Sequence, residues 1–275
     1  MNFGKIDRYM KATGVTLIEL LVVITVIAVL MGILLPVVHV IRQEGNAAVC
    51  GSNLKQLCLA LTTYDQQNGT FPYGFDDLTY GPITPPGGYV GNAAYDQMGG
   101  WWFHFLVRSL GEDFDTGTVL WCPARCISDP GPKANVLCGN YGVNRAICKD
   151  AQGVSSSEFV GKPLGAYQIR PAASTLLISD TGYSLISWRG ATDAPSQSFE
   201  NPMRESAFYI PGLWINNERS LFPGHEDDAT GGRHPNKSVN VGFADGHVNR
   251  LNADDLLVEE ANGNYHNRSP LWLPK

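Results

Sequence analysis

Gly14-Val15-Thr16-Leu17-Ile18-Glu19-Leu20-Leu21-Val22-Val23-Ile24 opens an apolar run that extends to Val38. One acid, Glu19, stands near the start of a segment otherwise apolar enough for lipid. A carboxylate at bilayer depth costs roughly 2.5–3.5 kcal/mol on insertion scales, so one kept there calls for a partner or a purpose. Val15 to Val38 is 24 residues long, and about 20 residues of helix cross the hydrocarbon core.

Upstream, Met1 to Gly14 carries Lys5, Arg8 and Lys11 against Asp7. A basic flank stays on the cytoplasmic side, which sends the C-terminal bulk across the membrane. A secretory signal has a shorter apolar region that ends in a small-residue cleavage site. Here the small residue at the polar-to-apolar boundary is Gly14, ahead of the apolar run. Cutting there removes the basic leader and leaves the hydrophobic helix on the product.

Residues Lys11 to Ile24 closely resemble the type III signal of type IV pilins and type II secretion pseudopilins. The resemblance implies that a membrane prepilin peptidase cuts after Gly14 and methylates the new amino terminus at Val15. Glu19 falls on that signal's glutamate, and Pro36 on a proline the family often carries. The departure is Val15, where Phe or Met is more usual. A free amine at Val15 and the Glu19 carboxylate carry opposite charges about one helical turn apart, and low dielectric strengthens their attraction. Between neighbouring subunits, such a pair neutralises both charges and sets the stagger of one helix against the next. Other pilin-like subunits and the inner membrane are then the expected partners, with the head in the periplasm or at the cell exterior.

A helical stripe continues beyond the apolar run at Ala47, Cys50, Leu54, Leu57, Cys58, Leu61 and Tyr64. Asn53, Lys55, Gln56 and Thr62 fill the other side. Asn68-Gly69 offers a stop, and Phe71-Pro72 marks extended chain. The pattern predicts one helix over 15–67, transmembrane over about 15–38, with a bend near Gly32 and Pro36. Residues 1–14 are then a removable leader and 68–275 a globular exported head. The expected fold class is α+β, a long N-terminal helix packed on a mostly antiparallel β head.

Within the head, Gly- and Pro-rich residues 73–100 read as an irregular loop, and Trp101–Leu106 as a short helix whose aromatics fill a core. Val119–Trp121 reads as a short strand. Ser174–Asp180 is a buried strand with Asp180 as a turn residue, and 183–232 an inserted loop region. Val239, Val241 and Phe243 alternate with Ser238, Asn240 and Gly242 as a half-buried strand. Asp245-Gly246 is the tight turn of a hairpin over about 238–251, and Asn252 caps a last short helix.

The net charge is −6, and removing the leader leaves 17 basic against 25 acidic residues, or −8. No basic patch follows, which argues against nucleic acid as a partner. Cys50, Cys58, Cys122, Cys126, Cys138 and Cys148 all follow the membrane segment, and in an oxidising compartment they read as a disulfide framework. Cys50 and Cys58 share one helix about 12 Å apart, too far to bond each other. The preferred arrangement joins Cys138 to Cys148 and lets Cys50 and Cys58 take Cys122 and Cys126. Zinc at Cys122-Pro-Ala-Arg-Cys126 is the alternative, lacking a second pair at finger-like spacing.

A second resemblance lies near the C-terminus. Arg233-His234, Val239 to Phe243 and Ala244-Asp245-Gly246-His247-Val248 are similar to a signature in a group of bacterial prepilin-like proteins, a histidine, nine residues, then Asp-Gly. Ten residues separate His234 from Asp245 here. Cys50 to Leu57, Cys122-Pro123, Tyr141 to Asn144 and Leu176 to Asp180 support the match. This resemblance implies an architecture rather than a reaction.

His225, Asp227, Asp228, His234, Asp245 and His247 fall within 23 residues. Carboxylates suit Ca²⁺ and imidazoles suit Zn²⁺. Major pseudopilins often hold calcium in a C-terminal loop, which makes Asp227 and Asp228 weak candidates. The competing reading is a polar surface loop in which His234 and Asp245 hydrogen-bond across the hairpin base. No nucleophile elbow, phosphate-binding loop or dinucleotide fingerprint is present, so neither catalysis nor a cofactor is expected. The expected function is a pilin-like structural subunit. The runner-up is an anchored adhesive or sugar-binding head that presents aromatics from 73–102, and a metal-dependent hydrolase is a third class.

Overall fold

The computed structural model describes residues 16–78, 83, 98–106, 118–151, 158–193, 206–266 and 271–274. Its first element, α1 (Leu17–Asn68), is a single helix of 52 residues that continues through Pro36. The chain divides into two compact units, Met1–Arg42 and Gln43–Lys275. In the first, every described side chain is exposed, the apolar ones included. By length and composition this helix can cross a membrane.

In the second unit, α1 buries one stripe, formed by Ala47, Cys50, Asn53, Leu54, Leu57, Cys58, Ala60 and Leu61. The 3.6-residue period predicts this stripe except at Asn53 and Ala60, which belong to the core side, and at Tyr64, which is only half-buried. The Asn53 amide donates to the Trp121 carbonyl at 3.1 Å, so a buried polar group is matched rather than stranded.

The head is built on a five-stranded sheet ordered β5-β3-β4-β6-β7, from β3 (Tyr141–Asn144), β4 (Leu176–Asp180), β5 (Leu185–Ile186), β6 (Ser238–Phe243) and β7 (Val248–Asn252). All pairings are antiparallel except β3 with β5. Among the described residues, two short pairs accompany this sheet, β1 (Phe75–Asp76) with β2 (Gly100–Trp101), and β8 (Glu260–Ala261) with β9 (Asn264–Tyr265). Among the described residues, the short helices α2 (Trp102–Phe105), α3 (Pro130–Ala134) and α4 (Glu226–Gly231) lie in the connections. This is the α+β arrangement expected, a long helix followed by a largely antiparallel head.

Strand β6 departs from the half-buried pattern, because Val239 to Phe243 are all buried. Side chains alternate across a strand, so Asn240 and Gly242 share one face, and that face receives α1. Gly51 of the helix lies over the Asn240 amide, and a Cβ on Gly242 would stand 2.1 Å from the Cys58 sulfur. Gly242 is the position at which helix and sheet close to contact. At the end of β6 the chain turns on Asp245-Gly246, with Gly246 at φ 87° and its N–H donating to Phe243. Strand β7 returns with Val239 opposite Leu251. Asn252 then caps a 3-10 turn over Ala253–Leu256, accepting from the Asp254 N–H at 3.0 Å.

Three further expectations are corrected. Residues 118–120 form a 3-10 turn instead of a strand, because the adjoining backbone is bound by side chains, the Trp121 carbonyl by Asn53 and the Cys122 N–H by Asn140. Residues 183–232 are no inserted loop. They supply β5, α4 and the buried Tyr183, Trp188, Phe208, Tyr209, Ile210 and Leu213. Core segments this short, broken by 3-10 turns, leave no period to read. The 73–100 segment, expected to be wholly irregular, contributes β1 and the start of β2, and its remainder lies mostly outside the described residues. Trp101, Trp102 and Phe103 fill the core as expected.

Candidate functional site

The start of α1 is built by Thr16 and Glu19. Thr16 stands just before the first helical residue, where four N–H groups lack intrahelical partners. The Glu19 carboxylate accepts from the Thr16 N–H at 2.8 Å and from its hydroxyl at 2.9 Å, while the Thr16 hydroxyl faces the Glu19 N–H at 3.3 Å. This reciprocal arrangement is a capping box, whose Thr-x-x-Glu signature is legible in Thr16-Leu17-Ile18-Glu19. Sequence reasoning that treated Glu19 only as an intermolecular group missed it. Gly14 and Val15, the expected processing residues, lie outside the described residues.

The C-terminal signature sits on a buried polar knot. His234 precedes β6, and its Nε2 lies 3.1 Å from Asp180 Oδ2. The same carboxylate oxygen accepts the Asn240 N–H at 2.7 Å. Asp180 therefore ends β4 as a buried anchor rather than a turn residue. Burial disfavours the charged imidazole, but hydrogen bonding to Asp180 and the nearby Cys122 outweigh it and raise the His234 pKa to about 9. The expected His234–Asp245 bond across the hairpin base does not form. Asp245 instead accepts from His247 at the half-exposed turn, from its N–H at 3.0 Å, with the ring Nδ1 at 2.5 Å.

Arg233 points the other way, into Asp228 at 2.5–3.0 Å, and its remaining N–H groups reach the carbonyls of Asn140 and Thr181. The Asp228 carboxylate also accepts from the Cys126 N–H at 2.9 Å and the Tyr209 hydroxyl at 2.8 Å. Burial alone would raise the Asp228 pKa, but the Arg233 guanidinium and these donors hold it below the ordinary carboxylate value. Asp228 is thus an internal strut that accepts from several protein donors, while Asp227 is exposed. His225 adjoins the strut with Nδ1 3.0 Å from Tyr209, and burial lowers its pKa to about 4. The titratable residues of 225–247 are therefore parted into a strut, a strand anchor and a surface turn. They do not converge on one centre, as a hydrolase built on them would require.

All six cysteines are thiols in this structure, so it does not contain the expected three-bond framework. Cys126 is exposed, and Cys58, Cys138 and Cys148 are buried. Cys50 of α1 and Cys122 meet sulfur to sulfur at 2.6 Å. With one His234 ring nitrogen they form a buried trio whose ligand atoms all lie within 4.8 Å of one another.

Comparison with known families matches residues 9–35 to the family described as the prokaryotic N-terminal methylation motif. Comparison with curated proteins and with solved structures returns no match. The matched residues run from the basic leader into α1 and take in Gly14, the Thr16–Glu19 cap and the exposed apolar turns that follow. The chain therefore bears a type IV pilin-like prepilin signal at the head of a long apolar helix.

Proposed function

We propose that this protein is a pilin- or pseudopilin-like structural subunit without enzymatic activity. A prepilin peptidase cuts it after Gly14 and methylates Val15. Helix α1 holds it in the inner membrane with the head on the outer side, and it joins other subunits by helix packing. The observation that carries the reading is the methylation motif on a helix whose side chains from Leu17 to Gly45 are all exposed. Exposed apolar surface on that scale belongs against lipid or against other helices.

Glu19 serves twice in this reading. A carboxylate accepts up to about four hydrogen bonds, so it can cap its own helix through Thr16 and still receive the Val15 amine of a neighbour. No cofactor is required, and the acidic head suits no nucleic acid.

The alternative is a membrane-anchored carbohydrate-binding or adhesive head using the same export route. It loses the aromatic face that would favour it where Trp101 and Trp102 are packed inside the core.

Mass spectrometry of the N-terminus of protein purified from membranes tests the proposal. The expected product begins at methylated Val15, and Gly14→Leu should retain the leader. Glu19→Val should leave insertion intact while reducing methylation or filament incorporation by tenfold or so, the order of one lost charge pair. A chain that begins at Met1 with no trimmed form, or full incorporation of Glu19→Val, would overturn it.

A further inference from the structure

The Cys50–Cys122 contact joins two parts of the fold that are far apart in sequence. Cys50 lies on the buried stripe of α1, and Cys122, 72 positions further along the chain, follows the 3-10 turn at Thr118–Leu120. Both are buried, at 0% and 2% exposure. Their sulfurs stand 2.6 Å apart, closer than two unbonded sulfur atoms rest and within about 0.6 Å of a disulfide bond length. The backbone beside each is held in place. Asn140 accepts the Cys122 N–H at 2.9 Å, and Asn53, one turn along α1 from Cys50, donates to the Trp121 carbonyl at 3.1 Å. Neither Cys58, packed on Gly242, nor the exposed Cys126 shares this arrangement.

We propose that Cys50 and Cys122 form a disulfide in the mature protein, a covalent staple between α1 and the head. The inference rests on the exported orientation proposed above, because an oxidising compartment is where such a bond persists. Its formation balances as follows. One cysteine, as thiolate, attacks the disulfide of an exported oxidant of the dithiol–disulfide class and forms a mixed disulfide. The second displaces the oxidant's sulfur, the Cys50–Cys122 bond forms, and the oxidant leaves as its dithiol with the two electrons and two protons. Because both sulfurs are enclosed once the head has folded, exchange precedes the docking of α1, and the finished bond is shielded from reductants. In a filament held together through α1, the staple carries load from the helix into the sheet without relying on side-chain packing alone.

The competing outcome is a metal. Cys50, Cys122 and His234 offer two sulfurs and a nitrogen, and Asp180 orients the ring from its far side. A tetrahedral Zn²⁺ with bonds of about 2.3 Å to sulfur needs its two sulfurs held further apart than a bonded pair. The observed spacing therefore favours the disulfide.

The test uses the full chain extracted from membranes, with an alkylating agent present from lysis and trypsin digestion without reductant. Residues 43–55 and 109–125 form tryptic peptides that contain Cys50 and Cys122 as their sole cysteines. They should appear as one cross-linked species that separates on reduction. The unfolding midpoint should fall by several degrees when reductant is present, while Cys50→Ala/Cys122→Ala should melt at the same temperature with or without it.

Both peptides alkylated singly without reduction would overturn the staple, as would one equivalent of Zn²⁺ removable by a chelator. The N-terminal peptide of the same digest separates the two claims. A product beginning at methylated Val15 with single, alkylated Cys50 and Cys122 peptides removes the staple and leaves the subunit reading. A cross-linked product beginning at Met1 does the reverse.

Discussion

His225 and Asp228, both buried in the head, are held against partners whose chemistry sets how the protein responds to acid. His225 is enclosed beside Tyr209 and Phe222, and burial depresses its pKa to about 4 from an ordinary 6.5. The unfolded chain therefore binds a proton between those values that the folded chain refuses. The stability this neutral imidazole represents is present above pH 6.5 and is lost as pH falls toward 4, by about 3 kcal/mol if the full shift is realised. Denaturant titrations of the wild type between pH 4 and 7 should show that loss, and His225→Phe should remove most of the slope. An equal slope in the variant would place the acid sensitivity elsewhere. Asp228 acts in the same direction further into acid, since its depressed pKa makes its ion pair with Arg233 a contribution lost on protonation.

At the scale of elements, the joint between α1 and β6 depends on the absence of a side chain. A Cβ at Gly242 would meet the Cys58 sulfur at 2.1 Å and Ile178 at 2.9 Å. Either the helix lifts from the sheet or Cys58 must vacate its place. Gly242→Ala should cost about 1–3 kcal/mol, the range for overpacking a closed core. Cys58→Ala should lose less, and the double variant should recover a large part of the Gly242→Ala loss because the methyl replaces the removed sulfur. Equilibrium unfolding of the three variants measures this coupling. Strictly additive losses would mean that the helix is not seated on this contact. The joint is extended at the rim of the head by Lys55 donating to the Gly246 carbonyl at 2.6 Å and by Arg250 paired with Glu44 at 2.8 Å. These exposed contacts contribute little beside the closed core.

For the molecule as a whole, the division after Arg42 separates a unit with no buried described side chain from one that holds all the buried residues described. A chain beginning at Gln43 keeps Ala47, Cys50, Leu54, Leu57, Cys58 and Leu61. It should fold without detergent and unfold in one cooperative transition, whereas a chain beginning at Leu61 should not fold, since most of the stripe that covers β6 is gone. Circular dichroism and size-exclusion chromatography of the two distinguish the cases. Aggregation of the longer fragment would show that the head requires the apolar helix.

What could be read from the residues in order was whatever depends on near neighbours along the chain. Continuous hydropathy located α1, the three- and four-residue steps located its buried stripe, and Asp245-Gly246 and Asn252 marked a turn and a cap, because helix period, turn and capping preferences are local. The cap made by Thr16 and Glu19 was equally local and present in the letters. The tertiary structure alone decided which distant groups share the interior. His234 meets Asp180 across 54 positions and Cys50 meets Cys122 across 72, and no local pattern encodes either contact. Strand β6 reads as half-exposed on its own and is buried on both faces only because α1 lies over Asn240 and Gly242. The order of strands in the sheet and the seat of the helix upon it brought Asp180, His234 and Asn53 to their partners, and in a low-dielectric interior these groups would have been costly to leave unmatched.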